Sequence, residues 1–182
     1  MQNKSLILFG LGFYILFAFA FMQSEKKADS LQEQVNTLTN ELDEKFNLDF
    51  YWISPENTKK LSDEEEHILA LNIYFESGVE DYSGKIAVAQ VTLNRVNSNK
   101  YGDTVKEVVY SPSQFSWTLK ERENPEGVLW EESKRAARDF NKGLRIKELD
   151  TCTSYHADYV SPKWAKSCDP VVKIGKHIFY KG

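Results

Sequence analysis

Two cysteines in 182 residues are too few for a disulfide-dense scaffold. They also cannot form a cysteine-based zinc site without distant histidines. His67, His156 and His177 are scattered, without H-x-x-x-H spacing or clustered carboxylates, so neither a metal nor another cofactor is expected. Five prolines and nine glycines leave no room for a low-complexity linker. Positive charge is short as well: Lys+Arg 23 against Asp+Glu 27 gives a net −4. That argues against nucleic acid as a partner, since duplex binding draws its main affinity from phosphate neutralisation. With 41% hydrophobic and 27% charged residues the chain is globular. The length suits one domain plus an extension.

Charge is missing altogether from Leu6 to Met22, which reads LILFGLGFYILFAFAFM. At about 17 residues the run is at the short end of what spans a hydrocarbon core. As a cleaved signal peptide it would use Ala18 and Ala20 as the small exit residues. The bulky Phe17, Phe19 and Phe21 instead favour a retained signal anchor over residues 1–24, a transmembrane helix that holds the chain to a membrane. Lys26 and Lys27 counter Lys4, so charge orients the span only weakly. Both readings export the rest of the chain, to the periplasm or another extracytoplasmic space. Residues 25–50 read as a helical spacer. Leu31, Val35, Leu38, Leu42 and Phe46 form a helical stripe, enough for weak self-association but short of a coiled coil. Cys152 and Cys168 would close a loop of about 15 residues, worth on the order of 3 kcal/mol if oxidised. The alternative is two unrelated buried thiols.

Residues 51–182 read as the functional domain. Ser62 and Glu65 make a capping box, and Asp63 to Glu66 put acid at the positive end of the helix dipole. The helix then runs apolar to Phe75, and Gly78 offers a natural C′ stop, a position where glycine commonly turns left-handed. Glu76 breaks this logic. It sits in the last turn, where the dipole disfavours an anion, over Leu69, Asn72 and Ile73. Desolvation and the dipole would both raise its pKa, as a glycosidic general acid requires. An exposed helix-end glutamate is the plainer alternative, and Glu80 alone reads as a solvated loop charge.

Lys85 to Val96 is apolar nearly all round, a buried central helix with Gln90, Asn94 and Arg95 as polar exceptions. Thr104 and Glu107 offer a second capping box, for a short helix through Tyr110 that Pro112 ends. Gln114-Phe-Ser-Trp117 is either a core plug or a sugar platform. Leu129 to Asn141 is an amphipathic helix with Gly143 beyond its end. From Lys134 onward 11 Lys+Arg stand against 5 Asp+Glu, a face that would suit an anionic polymer. Thr151–Ala157 reads as a strand, and Val171–Tyr180 as a hairpin turning near Gly175-Lys176.

In order along the chain stand Ile73-Tyr-Phe-Glu76, Glu80, Gly84-x-x-Ala87-Val-Ala89, Leu93-Asn-Arg-Val96, Thr104-Val, Val109-Tyr110 and Gln114-Phe-Ser-Trp117. Beyond them come Tyr155-His-Ala-Asp-Tyr-Val160, Pro162-x-Trp-Ala165 and Ile174-Gly-x-His-x-Phe-Tyr180. This ordered set resembles the SleB-type cell-wall hydrolases, which include spore-cortex-lytic enzymes. The resemblance implies an α+β, mainly helical, lysozyme-like domain with a small antiparallel sheet. It implies peptidoglycan as the partner, cut between N-acetylmuramic acid and N-acetylglucosamine by a single-glutamate lytic transglycosylase. The catalytic position falls on Glu76 and a second acidic position, a substrate-binding candidate, on Glu80. The family often reads E-A-R-G-E where this chain has Glu76-Ser-Gly-Val-Glu80, so a charge is missing near the acid. Gln114, Ser116, Tyr155 and His156 are candidates to line the groove. Lysozyme-type hydrolysis and a non-catalytic, membrane-tethered wall binder are the competing readings.

Overall fold

The structure, a computed structural model, describes residues 26, 27, 30, 48–54, 56, 58 and 60–182. The apolar run Leu6–Met22 and the stripe from Leu31 to Phe46 lie outside the described residues. Among the described residues no helix is long and apolar enough to cross a membrane. Leu48–Gly182 forms one compact unit. Its elements are β1 (Phe50–Trp52), α1 (Asp63–Ser77), α2 (Tyr82–Asn97), α3 (Val105–Tyr110), α4 (Val128–Asn141), β2 (Leu144–Ile146), β3 (Cys152–Ala157), β4 (Pro170–Ile174) and β5 (His177–Lys181). Helices thus precede a small antiparallel sheet ordered β3-β5-β4, while β1 pairs separately with β2.

The expected α1 start is present: Ser62 accepts from the Glu65 amide, and Glu65 accepts from the Ser62 amide at 3.1 Å. Its end differs from expectation. Gly78 has φ −58°, so the chain leaves α1 through a right-handed residue rather than a left-handed stop. At α3 only half a capping box forms. Thr104 accepts from the Glu107 amide, but the Glu107 side chain takes the Asp103 amide at 2.7 Å.

α2 is the central helix, with Ile86, Ala87, Val88, Ala89 and Val91 wholly buried. Its three polar exceptions share one task. The Gln90 amide donates to the Ile146 carbonyl at 2.9 Å and accepts from the Ile146 N–H at 2.7 Å. Asn94 donates to the Leu149 and Cys152 carbonyls at 2.7 and 2.8 Å, and Arg95 Nε donates to the Thr153 carbonyl at 2.7 Å. Backbone groups leaving β2 and entering β3 are therefore satisfied by a helix face, as buried polar groups require. α4 buries Trp130, Ser133, Ala136, Ala137 and Phe140, the spacing expected of one apolar stripe. Gly143, at φ +117°, lets the turn into β2 pass close to the chain after β1: a Cβ there would lie 2.5 Å from the Ile53 carbonyl oxygen.

The pairing of Cys152 with Cys168 does not occur; both are free thiols. Cys152 opens β3, whereas Cys168 leads into β4, on the other side of β5. Two strand spacings, roughly 9–10 Å, separate their paths, beyond the reach of a disulfide. Nor are they two buried thiols, since Cys168 is exposed. Burial pushes the Cys152 thiol up to about 11. In the Gln114–Trp117 segment the core plug prevails, with Phe115 3% and Trp117 7% exposed. Trp117 stacks on Phe75 with centroids 4.8 Å apart and donates its indole N–H to Asn72 Oδ1 at 2.9 Å.

Candidate active site

Glu76 is set by its place on α1. One turn back lie Asn72 and Ile73, both fully buried, so its side chain leaves the helix at the boundary between core and solvent. There it borders a cleft of about 350 Å³. β3 supplies Tyr155 and His156, α2 supplies Arg95, the segment after α3 supplies Gln114, Phe115 and Ser116, and β5 supplies His177. Of the residues singled out in the sequence, Glu76, Gln114, Ser116, Tyr155 and His156 all border this one cleft. Glu80 does not; its carboxylate accepts the Lys176 N–H at 3.1 Å in the turn between β4 and β5.

The Tyr155 hydroxyl donates to Glu76 Oε2 at 3.1 Å. With Oε2 engaged as an acceptor, the acid proton belongs on Oε1. Burial raises the Glu76 pKa above the usual carboxylate range, while the Tyr155 hydrogen bond and the Arg95 charge pull the other way. The same burial, reinforced by the Glu76 carboxylate, drives the Tyr155 phenol well above its ordinary value. Tyr155 is thus a fixed donor rather than a proton relay.

Arg95 is only 8% exposed, and its guanidinium carbon lies 5.3 Å from the Phe115 ring centre and 5.9 Å from that of Tyr155. Among the described residues, its Nη1 and the Nδ1 of His177 are buried without a hydrogen-bond partner. Burial also lowers the His177 pKa, against the raising influence of Glu80 and Asp158. His156 is fully committed: Nδ1 lies 2.9 Å from the Ala157 carbonyl and Nε2 lies 2.9 Å from the Tyr180 hydroxyl. A carbonyl can only accept, so Nδ1 carries a proton, and in the neutral ring Nε2 accepts from Tyr180.

Arg95, Tyr159 and His177 are among the lining residues that carry no site role in the sequence reading. Arg95 stands out there only as a charge on an apolar helix. Tyr159 and His177 fall within the motifs of the resemblance without a role of their own. Tyr159 is 80% exposed at the cleft, where the buried Phe115 and Trp117 cannot offer a ring face. Phe75 borders both this cleft and a larger one, of about 800 Å³, walled by Tyr74 and residues 121–126.

The model of the cell wall hydrolase family matches residues 79–180, beginning three positions after Glu76. The spore cortex-lytic enzyme of Bacillus cereus is 32% identical over 118 residues, 63% of this chain and 43% of that protein. That of Oceanobacillus iheyensis is 33% identical over 118 residues, 63% of this chain and 40% of that protein. The chain therefore spans about two fifths of the length of these curated relatives. Among solved structures, the catalytic domain of the Bacillus cereus SleB protein superposes with a TM-score of 0.56 at 31% identity, covering 68% of this chain and 94% of that one. The catalytic domain of the germination-specific lytic transglycosylase SleB from Bacillus anthracis gives 0.55 at 32% identity, covering 66% and 97%.

Proposed function

The chain belongs to the cell wall hydrolase family, and from that premise we propose that it cleaves peptidoglycan glycan strands between N-acetylmuramic acid and N-acetylglucosamine, with Glu76 as both acid and base. The observation that carries this reading is that, among the described residues, Glu76 is the one carboxyl bordering the 350 Å³ cleft, held partly out of water and fixed by one donor. Glu76 Oε1 gives its proton to the glycosidic oxygen as the C1–O bond breaks. The resulting carboxylate is stabilised by Tyr155 and by the Arg95 charge, so the partners that oppose a raised pKa also favour proton donation. It then takes the proton of the C6 hydroxyl of the muramic acid, whose oxygen closes on C1. A 1,6-anhydro end results, with no water consumed.

Hydrolysis of the lysozyme type would call for a second carboxylate across the sugar ring. Glu76 is the one carboxylate bordering the 350 Å³ cleft among the described residues, Glu80 is occupied with the Lys176 amide, and Glu121, Glu123 and Glu126 line the larger cleft beyond Phe75 rather than the one that holds Glu76. Phe75 lines both clefts, which in this reading would give a polymer room to continue past the cutting point. Tyr159 supplies an exposed ring for a sugar face. In the same reading the fold is lysozyme-related, the apolar run Leu6–Met22 takes the chain to a membrane, and the domain works on the wall side of it.

Dye-labelled sacculi incubated with the full chain test the proposal. Soluble coloured fragments are expected from the wild type and none from Glu76→Gln, while both sediment with the wall. If neither releases fragments yet both sediment, the protein is a tethered wall binder and the enzymatic reading falls.

A further inference from the structure

Glu80 lies four residues beyond Glu76, yet every atom of it that makes a contact faces the protein. Its N–H donates to the Ser77 carbonyl at 2.9 Å, and its own carbonyl accepts Lys85 Nζ at 2.5 Å. Lys85 is itself 2% exposed, with Glu132 3.3 Å away. The Glu80 stem packs on α2 where Gly84 makes room: a Cβ on Gly84 would lie 2.8 Å from Glu80 Cβ. At its far end Oε2 accepts the Lys176 N–H at 3.1 Å. Gly175, at φ +54°, leaves the space that the carboxylate fills, and a Cβ there would overlap Oε2.

The Lys176 backbone is held on its other side too, because its carbonyl accepts the Asp158 N–H at 2.7 Å. A continuous path therefore runs from the loop after Glu76, through the Glu80 carboxylate and the Lys176 backbone, to Asp158 three residues after Tyr155. It joins the two chain segments that must hold the Glu76–Tyr155 hydrogen bond. We propose that Glu80 is a positioning residue: its carboxylate struts the β4–β5 turn against the end of α1 and so keeps β3, with Tyr155, in register with Glu76. Only the activity readout of this inference rests on the glycan-cleavage reading.

Acceptance of an N–H needs an oxygen and not a charge, which separates a strut from a second catalytic carboxylate. In the full chain, Glu80→Gln is expected to release wall fragments within about threefold of wild type, and Glu80→Ala about tenfold or more slowly, the scale of a small misplacement at a reacting centre. Hydrogen exchange over residues 174–178 should quicken in Glu80→Ala and stay slow in Glu80→Gln. Gly175→Ala should cost more activity in the wild type than in the Glu80→Ala background, where the carboxylate it displaces is gone. If Glu80→Ala does not fold, Glu80→Gln still decides through its activity and its exchange over residues 174–178. Glu80→Gln as inactive as Glu76→Gln, with exchange still slow, would overturn the strut and make the charge itself essential. Slow exchange in Glu80→Ala would overturn it as well. Should wild type cut no wall at all, the glycan-cleavage reading fails, while the exchange comparison still judges Glu80.

Discussion

Replacing Tyr155 by Phe removes one hydroxyl and little else, and its consequence for Glu76 comes from the 3.1 Å hydrogen bond between them. The bond favours the carboxylate over the acid, so its loss leaves burial less opposed and raises the Glu76 pKa further. A hydrogen bond to a charged acceptor contributes about 1.5–3 kcal/mol. Arg95 remains to hold the carboxylate, which places the effect at the lower end of that range. One pH unit corresponds to about 1.4 kcal/mol, so the alkaline limb of the pH–rate profile should move upward by about one unit. At neutral pH the acid form is then more abundant but a weaker donor, and its conjugate base has lost a stabilising partner. The rate on the acidic plateau should therefore fall, by about tenfold for 1.4 kcal/mol lost from the transition state. Turbidity loss of a peptidoglycan suspension, measured from pH 4 to pH 9 with wild type and variant, reads both quantities. An alkaline limb that stays put or moves downward would refute the role given to Tyr155.

Glu76 is also expected to weaken the fold. A group whose pKa is raised on folding adds stability below its unfolded pKa and loses it as pH rises through the folded value. Glu76→Gln should therefore raise Tm at pH 7 relative to wild type, with the difference shrinking toward pH 4; thermal unfolding at the two pH values checks the sign. Trp117→Phe should cost about 2–4 kcal/mol in denaturant unfolding, because it leaves Asn72 Oδ1 without its buried donor and opens a void beside Phe75. Tyr159→Ala should weaken binding of a soluble chitooligosaccharide to the Glu76→Gln protein by about fivefold or more without changing Tm, the worth of an aromatic stacking contact. Unchanged affinity in calorimetric titration would remove Tyr159 from the site.

Much of the fold is legible in the sequence because its signals are local. The Ser62–Glu65 box, the apolar faces of α2 and α4 and the Gly175-Lys176 turn each depend on residues within a few positions of one another. The short ladder of β1 with β2 is not legible, since three-residue strands almost a hundred residues apart leave no periodic trace. The unpaired thiols show the same limit: spacing in sequence says how long a loop would be, but not that β5 runs between its ends. At the site, Glu76 can be singled out because it contradicts its own helix, and Tyr155 because the resemblance draws attention to its strand. The task of Arg95 is hidden, since a buried charge announces itself only as an exception until its partner, the Thr153 carbonyl, is placed 58 positions away. Glu80 misleads in the opposite direction. It looks solvated in sequence, and its carboxylate accepts a bond from 96 positions ahead, at Lys176.

The claim on which the rest depends is that one glutamate serves as both acid and base and that water takes no part. Mass spectrometry of the muropeptides released from purified peptidoglycan by the full chain, with Glu76→Gln alongside, tests it most directly. Products ending in 1,6-anhydro-muramic acid, absent with Glu76→Gln, are the predicted result. Reducing muramic acid ends, carrying 18O when the digestion is run in labelled water, would contradict it and require a second group to activate that water.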